Sequence, residues 1–132
     1  MRLALLLIAP LAITVTPYAA APANASCVGP MIGGGSVVLD RASDETVQGR
    51  YFQKGCADVG VCTPDGCTYE ETSPRKHVRL RITQDGHRWL LDTADADKRN
   101  RVTWHFRLPG GVDPGRAVLH APGAQPVVVR VR

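Results

Sequence analysis

Apolar and polar residues alternate along most of this chain, and no helical period competes with that alternation. "HVRLRIT" (His77–Thr83) places Val78, Leu80 and Ile82 on one face, with Arg79 and Arg81 on the other. "RVTWHFRL" (Arg101–Leu108) turns Val102, Trp104, Phe106 and Leu108 inward and leaves Arg101, Thr103, His105 and Arg107 outward. "PVVVRVR" (Pro126–Arg132) sets Val127, Val129 and Val131 against Val128, Arg130 and Arg132. Further strands are expected at Ser36–Arg41, Thr46–Phe52, His87–Asp92 and Arg116–Ala121, seven in all.

The connections are legible as well. Asp85-Gly86 joins the third and fourth strands as a tight hairpin, because both residues tolerate positive φ. Pro122-Gly123 joins the sixth and seventh. "LPGGVDPG" (Leu108–Gly115) reads as a crossover between sheets, and Gly33-Gly34-Gly35 as a joint ahead of the domain. Seven short alternating strands predict an all-β, immunoglobulin-like or fibronectin-III-like β-sandwich. The expected arrangement puts strands one, two and five in one sheet and three, four, six and seven in the other. Trp89 shares a face with Leu91 and is expected in the core.

The N-terminus changes the picture. Arg2, the apolar run Leu3–Ile13 and the small-x-small ending Ala23-Asn24-Ala25 have the form of a secretory signal peptide spanning 1–25. That run is too short to span a bilayer, which takes about 20 apolar residues. Cleavage would leave 132 minus 25, or 107, residues, enough for one domain, and no later segment is apolar enough to span a membrane. The expected organisation is a tail at 26–35 and a sandwich at 36–132 that carries a long loop at 53–75. Cys27 opens an alternative, lipid anchoring at the cell surface, but Asn24 stands where such sites carry an apolar residue, and lipidation would leave an odd cysteine count.

Four cysteines lie beyond the leader: Cys27, Cys56, Cys62 and Cys67. An even count in a small exported domain points to disulfides. Zinc sites use C-x2-4-C pairs that are repeated or followed by paired histidines; here the spacings are x5 and x4, no C-x-x-C redox pair is present, and His77, His87, His105 and His120 are scattered. Cys62–Cys67 would close over the turn former Thr63-Pro64-Asp65-Gly66, leaving Cys27–Cys56 to tie down the tail. Cys27–Cys67 with Cys56–Cys62 remains the alternative. Such bridges would replace secondary structure in the 53–75 loop.

Thr46–Arg132 resembles the immunoglobulin-like domains of bacterial exported and cell-envelope proteins. The resemblance rests on Val47-Gln48-Gly49-Arg50-Tyr51-Phe52, on Ala94-Asp95-Ala96-Asp97, and on Leu108-Pro109 followed by Pro114-Gly115-Arg116-Ala117-Val118-Leu119. It implies fold and export and no particular ligand. Ala117 replaces the Tyr of many relatives, so a tyrosine corner is not expected.

Candidate chemistry is sparse. G-x-S-x-G is absent, no Walker lysine follows the glycines, and cysteines expected in bridges supply no nucleophile, so no catalytic residue or cofactor is assigned. Asp58, Asp65, Glu70 and Glu71 gather in the loop without an EF-hand pattern and read as a solvated acidic segment. Arginines outnumber lysines thirteen to three, and the formal charge of +4 becomes +3 without Arg2. That balance with an export signal does not favour nucleic acid. Arg79, Arg81, His120, Arg130 and Arg132, with Arg88 or His87 beside them, would form one basic sheet face. It could bind an anionic envelope polymer or glycan, or an envelope protein. The plainer reading is that exposed strand positions are polar and that arginines guard sheet edges.

Overall fold

The computed structural model describes residues 27–33, 37–57 and 60–132. The expected signal peptide, Ser26, Gly34-Gly35-Ser36 and Asp58 lie outside them. The fold is all-β, and twelve strands and no helix occur among the described residues.

One sheet has the order β1-β3-β10, built from Met31–Ile32, Asp44–Arg50 and Val102–Arg107, all antiparallel. The second has the order β2-β12-β11-β8-β9, from Val37–Leu39, Val127–Val131, Gly115–His120, Val78–Gln84 and His87–Ala94. Two short pairs complete the set: β4 (Gln53–Lys54) with β7 (Ser73–Pro74), and β5 (Gly60–Thr63) with β6 (Gly66–Tyr69).

The alternation that organises the sequence is the alternation of burial. Val78, Leu80 and Ile82 are buried from the larger sheet, and Val102, Trp104 and Phe106 from the smaller, in one hydrophobic cluster. Each such side chain stabilises the fold by about 1.5–3 kcal/mol relative to exposure. Trp89 is half-buried against this cluster, and a side chain at Gly111 would come within 3.2 Å of its indole.

The Val47–Phe52 motif has a packing explanation. Phe52 meets Trp104 edge-on, with ring centroids 5.5 Å apart at 90°. A Cβ at Gly49 would lie 2.5 Å from the Phe52 ring and 2.8 Å from the Trp104 ring, so only glycine fits under this aromatic pair. The Ala94–Asp97 motif is a backbone clamp. Asp95 Oδ1 accepts the His77 N–H at 2.7 Å, and Asp97 Oδ1 accepts those of Arg99 and Arg101 at 2.8 and 2.9 Å.

The connections follow the sequence. Asp85 (φ 49°) and Gly86 (φ 80°) close the β8–β9 hairpin with two positive-φ residues. Residues 108–115 carry the chain from β10 in one sheet to β11 in the other.

The first expected strand requires a correction. It does not join strands two and five; as β2 it runs parallel to β12, with Val37, Val38 and Leu39 opposite Val129, Arg130 and Val131. A three-residue strand with one buried leucine satisfies its pattern on either sheet. The open backbone edge of β12 takes it. The smaller sheet instead gains β1 from the expected tail, where Ile32 is buried.

The cysteines pair as expected, Cys27 with Cys56 and Cys62 with Cys67, and none is free among the described residues. Disulfides persist in oxidising compartments, and two in one small domain point to that environment. The Cys27 sulfur is committed to Cys56, so the lipid-anchor alternative, which needs the same atom, does not fit this structure. The bridges also do not replace secondary structure in the 53–75 loop. They reinforce it: β5 and β6 form a hairpin with Cys62 directly opposite Cys67. Every residue of that hairpin is exposed. A lone two-stranded hairpin is marginal in water, which is what the cross-link offsets. No helix among the described residues is long and apolar enough to cross a membrane.

Candidate functional site

The outward side chains of the five-stranded sheet follow from its register. Arg130 lies opposite Val38 on β2 and opposite Arg116 on β11. Val118 lies opposite Val128 and Thr83, and Thr83 opposite Arg88. His120 lies opposite Arg81, which in turn faces Leu90, and Arg79 faces Thr93 across an irregularity in β8–β9.

Two basic rows therefore flank one that runs from the aliphatic Val128 and Val118 through Thr83 to Arg88. Arg116 and Arg130 form the first row, Val118 and Val128 the middle, and His120 and Arg81 the second. Val128 is 50% exposed, Val38 40% and Leu90 54%. Arg79, Arg88, Arg116 and Arg130 are exposed, and Arg81 and His120 half-buried.

Among the described residues no outward strand position on this face carries an acid; Asp92 of β9 turns inward, its Oδ2 accepting the His105 N–H at 2.9 Å, and Asp40, Asp85 and Asp113 sit in flanking turns and loops. Among the described residues, the ion pairs are Lys76–Asp95, His77–Asp95, Arg101–Asp97 and Arg107–Asp44. None involves an arginine of this face. The outer face of the smaller sheet differs. There Arg107 pairs with Asp44 at 3.2 Å, and Thr46 Oγ1 hydrogen-bonds His105 Nδ1 at 3.1 Å.

Of the residues expected on the basic face, Arg79, Arg81, His120 and Arg130 share it. Arg132 follows β12, its N–H donating to the Leu39 carbonyl at 2.9 Å, and marks the corner beside β2. Arg88 joins the face; His87 does not. His87 pairs with the inward Gln84, and its ring stacks at a tilt 5.7 Å from that of Trp89.

Arg116 is missing from the sequence-derived set. Its place beside Arg130 follows from the β11–β12 register, to which the Arg116–Ala121 strand pattern was the available clue. A shallow depression of about 450 Å³ lies here, lined by Gly115, Arg116, Val128, Val129 and Arg130.

A buried residue also missed by pattern positions this corner. Gln84 is the buried polar side chain of the core. Its Nε2 donates to the Asp113 and Arg116 carbonyls at 2.9 and 3.4 Å, and its Oε1 accepts the Asp113 N–H at 2.8 Å. The crossover is thereby fixed where it delivers Arg116 to the sheet. The only sequence signal was one polar residue at an inward position of an apolar strand.

Of the acidic loop residues, Asp65, Glu70 and Glu71 are exposed among the described residues. Glu70 Oε2 accepts the Cys56 N–H at 3.0 Å, and among the described residues no three His, Cys, Asp or Glu side chains are grouped to hold a metal. Comparison with protein families, curated proteins and solved structures found no match to this chain.

Proposed function

We propose that this chain is an exported, non-catalytic immunoglobulin-like module that binds an anionic cell-envelope polymer through the outer face of its five-stranded sheet. The strand orders β1-β3-β10 and β2-β12-β11-β8-β9 support the immunoglobulin-like sandwich, since two sheets of short strands with inward-alternating residues over one core are what that fold is built from. Export is supported by the leader-like N-terminus and by the two disulfides.

The observation that carries the binding reading is the outward cluster Arg79, Arg81, Arg88, Arg116, Arg130 and His120, with no acid at an outward strand position among the described residues. A solvated face chosen for solubility alone mixes both signs, as the smaller sheet does here. A one-signed face raises the local concentration of oppositely charged ligands and speeds their capture.

The test is retention of the mature protein on immobilised dextran sulfate and on isolated cell envelopes across a salt gradient. Retention that weakens with salt, and is lost in Arg79→Glu/Arg130→Glu, is the expected result. Absence of retention on both supports, with the protein folded, refutes the reading. Intact mass tests export: cleavage after Ala25 and a deficit of four hydrogens are expected.

A further inference from the structure

Arg116 and Arg130 stand directly opposite each other on adjacent antiparallel strands, and both are exposed. Like charges in that relation destabilise a sheet. Elsewhere the structure relieves arginines with carboxylates, as at Arg107–Asp44 and Arg101–Asp97. Here no ion pair forms among the described residues, and both arginines line the shallow depression with Gly115 and Val128. The corner is also held firm, because Gln84 bonds the Arg116 carbonyl and both polar groups of the Asp113 backbone.

We propose that Arg116 and Arg130 form a seat for a tetrahedral oxyanion, a phosphate or sulfate ester carried on the anionic polymer. This rests on the basic-face reading and specifies its ligand. Each guanidinium offers a planar fork of N–H donors. A carboxylate has two oxygens and is satisfied by a single fork. A phosphate monoester or a sulfate ester has three free oxygens and can accept from two forks at once, so it relieves both arginines together.

Arg81 opposite His120 repeats the arrangement four residues along β11, about 13 Å away at the usual strand rise. Between the two rows lie Val118 and Val128, which offer apolar surface rather than charge. The face therefore suits a chain with charged groups at intervals better than a single small anion.

Calorimetric titration with three polymers of matched length and charge density tests this: dextran sulfate, dextran carrying phosphate monoesters, and carboxymethyl dextran. Arg116→Lys/Arg130→Lys keeps the charge but removes both forks. It should weaken binding of the sulfate and phosphate polymers roughly tenfold and that of the carboxylate polymer less than about twofold. Arg50→Lys, exposed on β3 of the smaller sheet and outside the basic face, should leave all three unchanged. Equal losses for the sulfate, phosphate and carboxylate polymers, or no loss in the seat variant, overturn the seat while the basic-face reading stands. Failure of the wild-type protein to bind any polymer removes both. Preference between dextran sulfate and the phosphate-monoester dextran identifies which ester occupies it.

Discussion

Trp104 donates its indole N–H to the Val78 carbonyl, 2.9 Å away, and so joins the two sheets by a buried hydrogen bond. Trp104 belongs to β10 of the smaller sheet and Val78 to β8 of the larger. The same ring packs edge-on to Phe52 and over Gly49, so it fixes both the spacing and the relative placement of the layers. A buried donor needs a partner, and a buried aromatic needs complementary surface.

Trp104→Phe should therefore destabilise the fold by at least about 2 kcal/mol, from the lost hydrogen bond and the cavity left by the smaller ring. Gly49→Ala should cost about 1–3 kcal/mol by overpacking the same region. Chemical denaturation with an unchanged slope would register each as a shift of midpoint.

Gln84→Leu keeps the approximate volume but leaves the Asp113 N–H and carbonyl without their partner. A loss of about 1–3 kcal/mol is expected. Amide exchange should speed at Asp113 in the crossover well before it does in β8, and polymer binding should weaken through the displaced Arg116.

The two disulfides should separate in their effects. Cys62→Ser/Cys67→Ser opens a loop of sequence separation 5 in a hairpin that contributes nothing to the core. Exchange protection in β5 and β6 should vanish while the melting temperature changes little. Cys27→Ser/Cys56→Ser removes a cross-link of separation 29, for which chain entropy gives about 3–4 kcal/mol. Thermal unfolding should report that loss.

The acids Asp95 and Asp97 predict a pH dependence. The His77 backbone N–H holds Asp95 below the usual carboxylate value of 3.8, with Lys76 adding to the effect. The Arg101 backbone N–H, followed by that of Arg99, holds Asp97 below it in the same way. A carboxylate whose folded pKa is depressed contributes stability in full above its unfolded pKa. That contribution fades as pH falls below 3.8 towards the lower folded values. Melting temperatures between roughly pH 5 and pH 2 should fall, and the fall should be shallower in Asp95→Asn/Asp97→Asn.

The parts of this fold that repeat every second residue were open to sequence reasoning. Val78, Leu80 and Ile82 had to share a dry face because a strand alternates, and Asp85-Gly86 had to turn because both accept positive φ. Cys62–Cys67 was the favoured pair because the turn former Thr63-Pro64-Asp65-Gly66 lies between them, and the structure chose it over Cys56–Cys62. The exposed arginines were legible for the same reason, and four of the five basic residues expected on one face stand together within the strands of the larger sheet.

The partner of each strand was not legible in this way. Nothing in Val37-Val38-Leu39 distinguishes the edge of β12 from that of β3, and nothing local in Arg116 announces Arg130 across from it. Gln84 reads as a break in an apolar pattern until the crossover folds back over it.

The order of apolar and polar residues along this chain determined which side of each strand is dry, and hence an all-β protein, since that preference is settled within a few residues. Which edges meet was decided only in three dimensions, where backbone groups far apart in sequence compete for the same open edge. That competition set Arg116 against Arg130 and made a run of exposed arginines into a face.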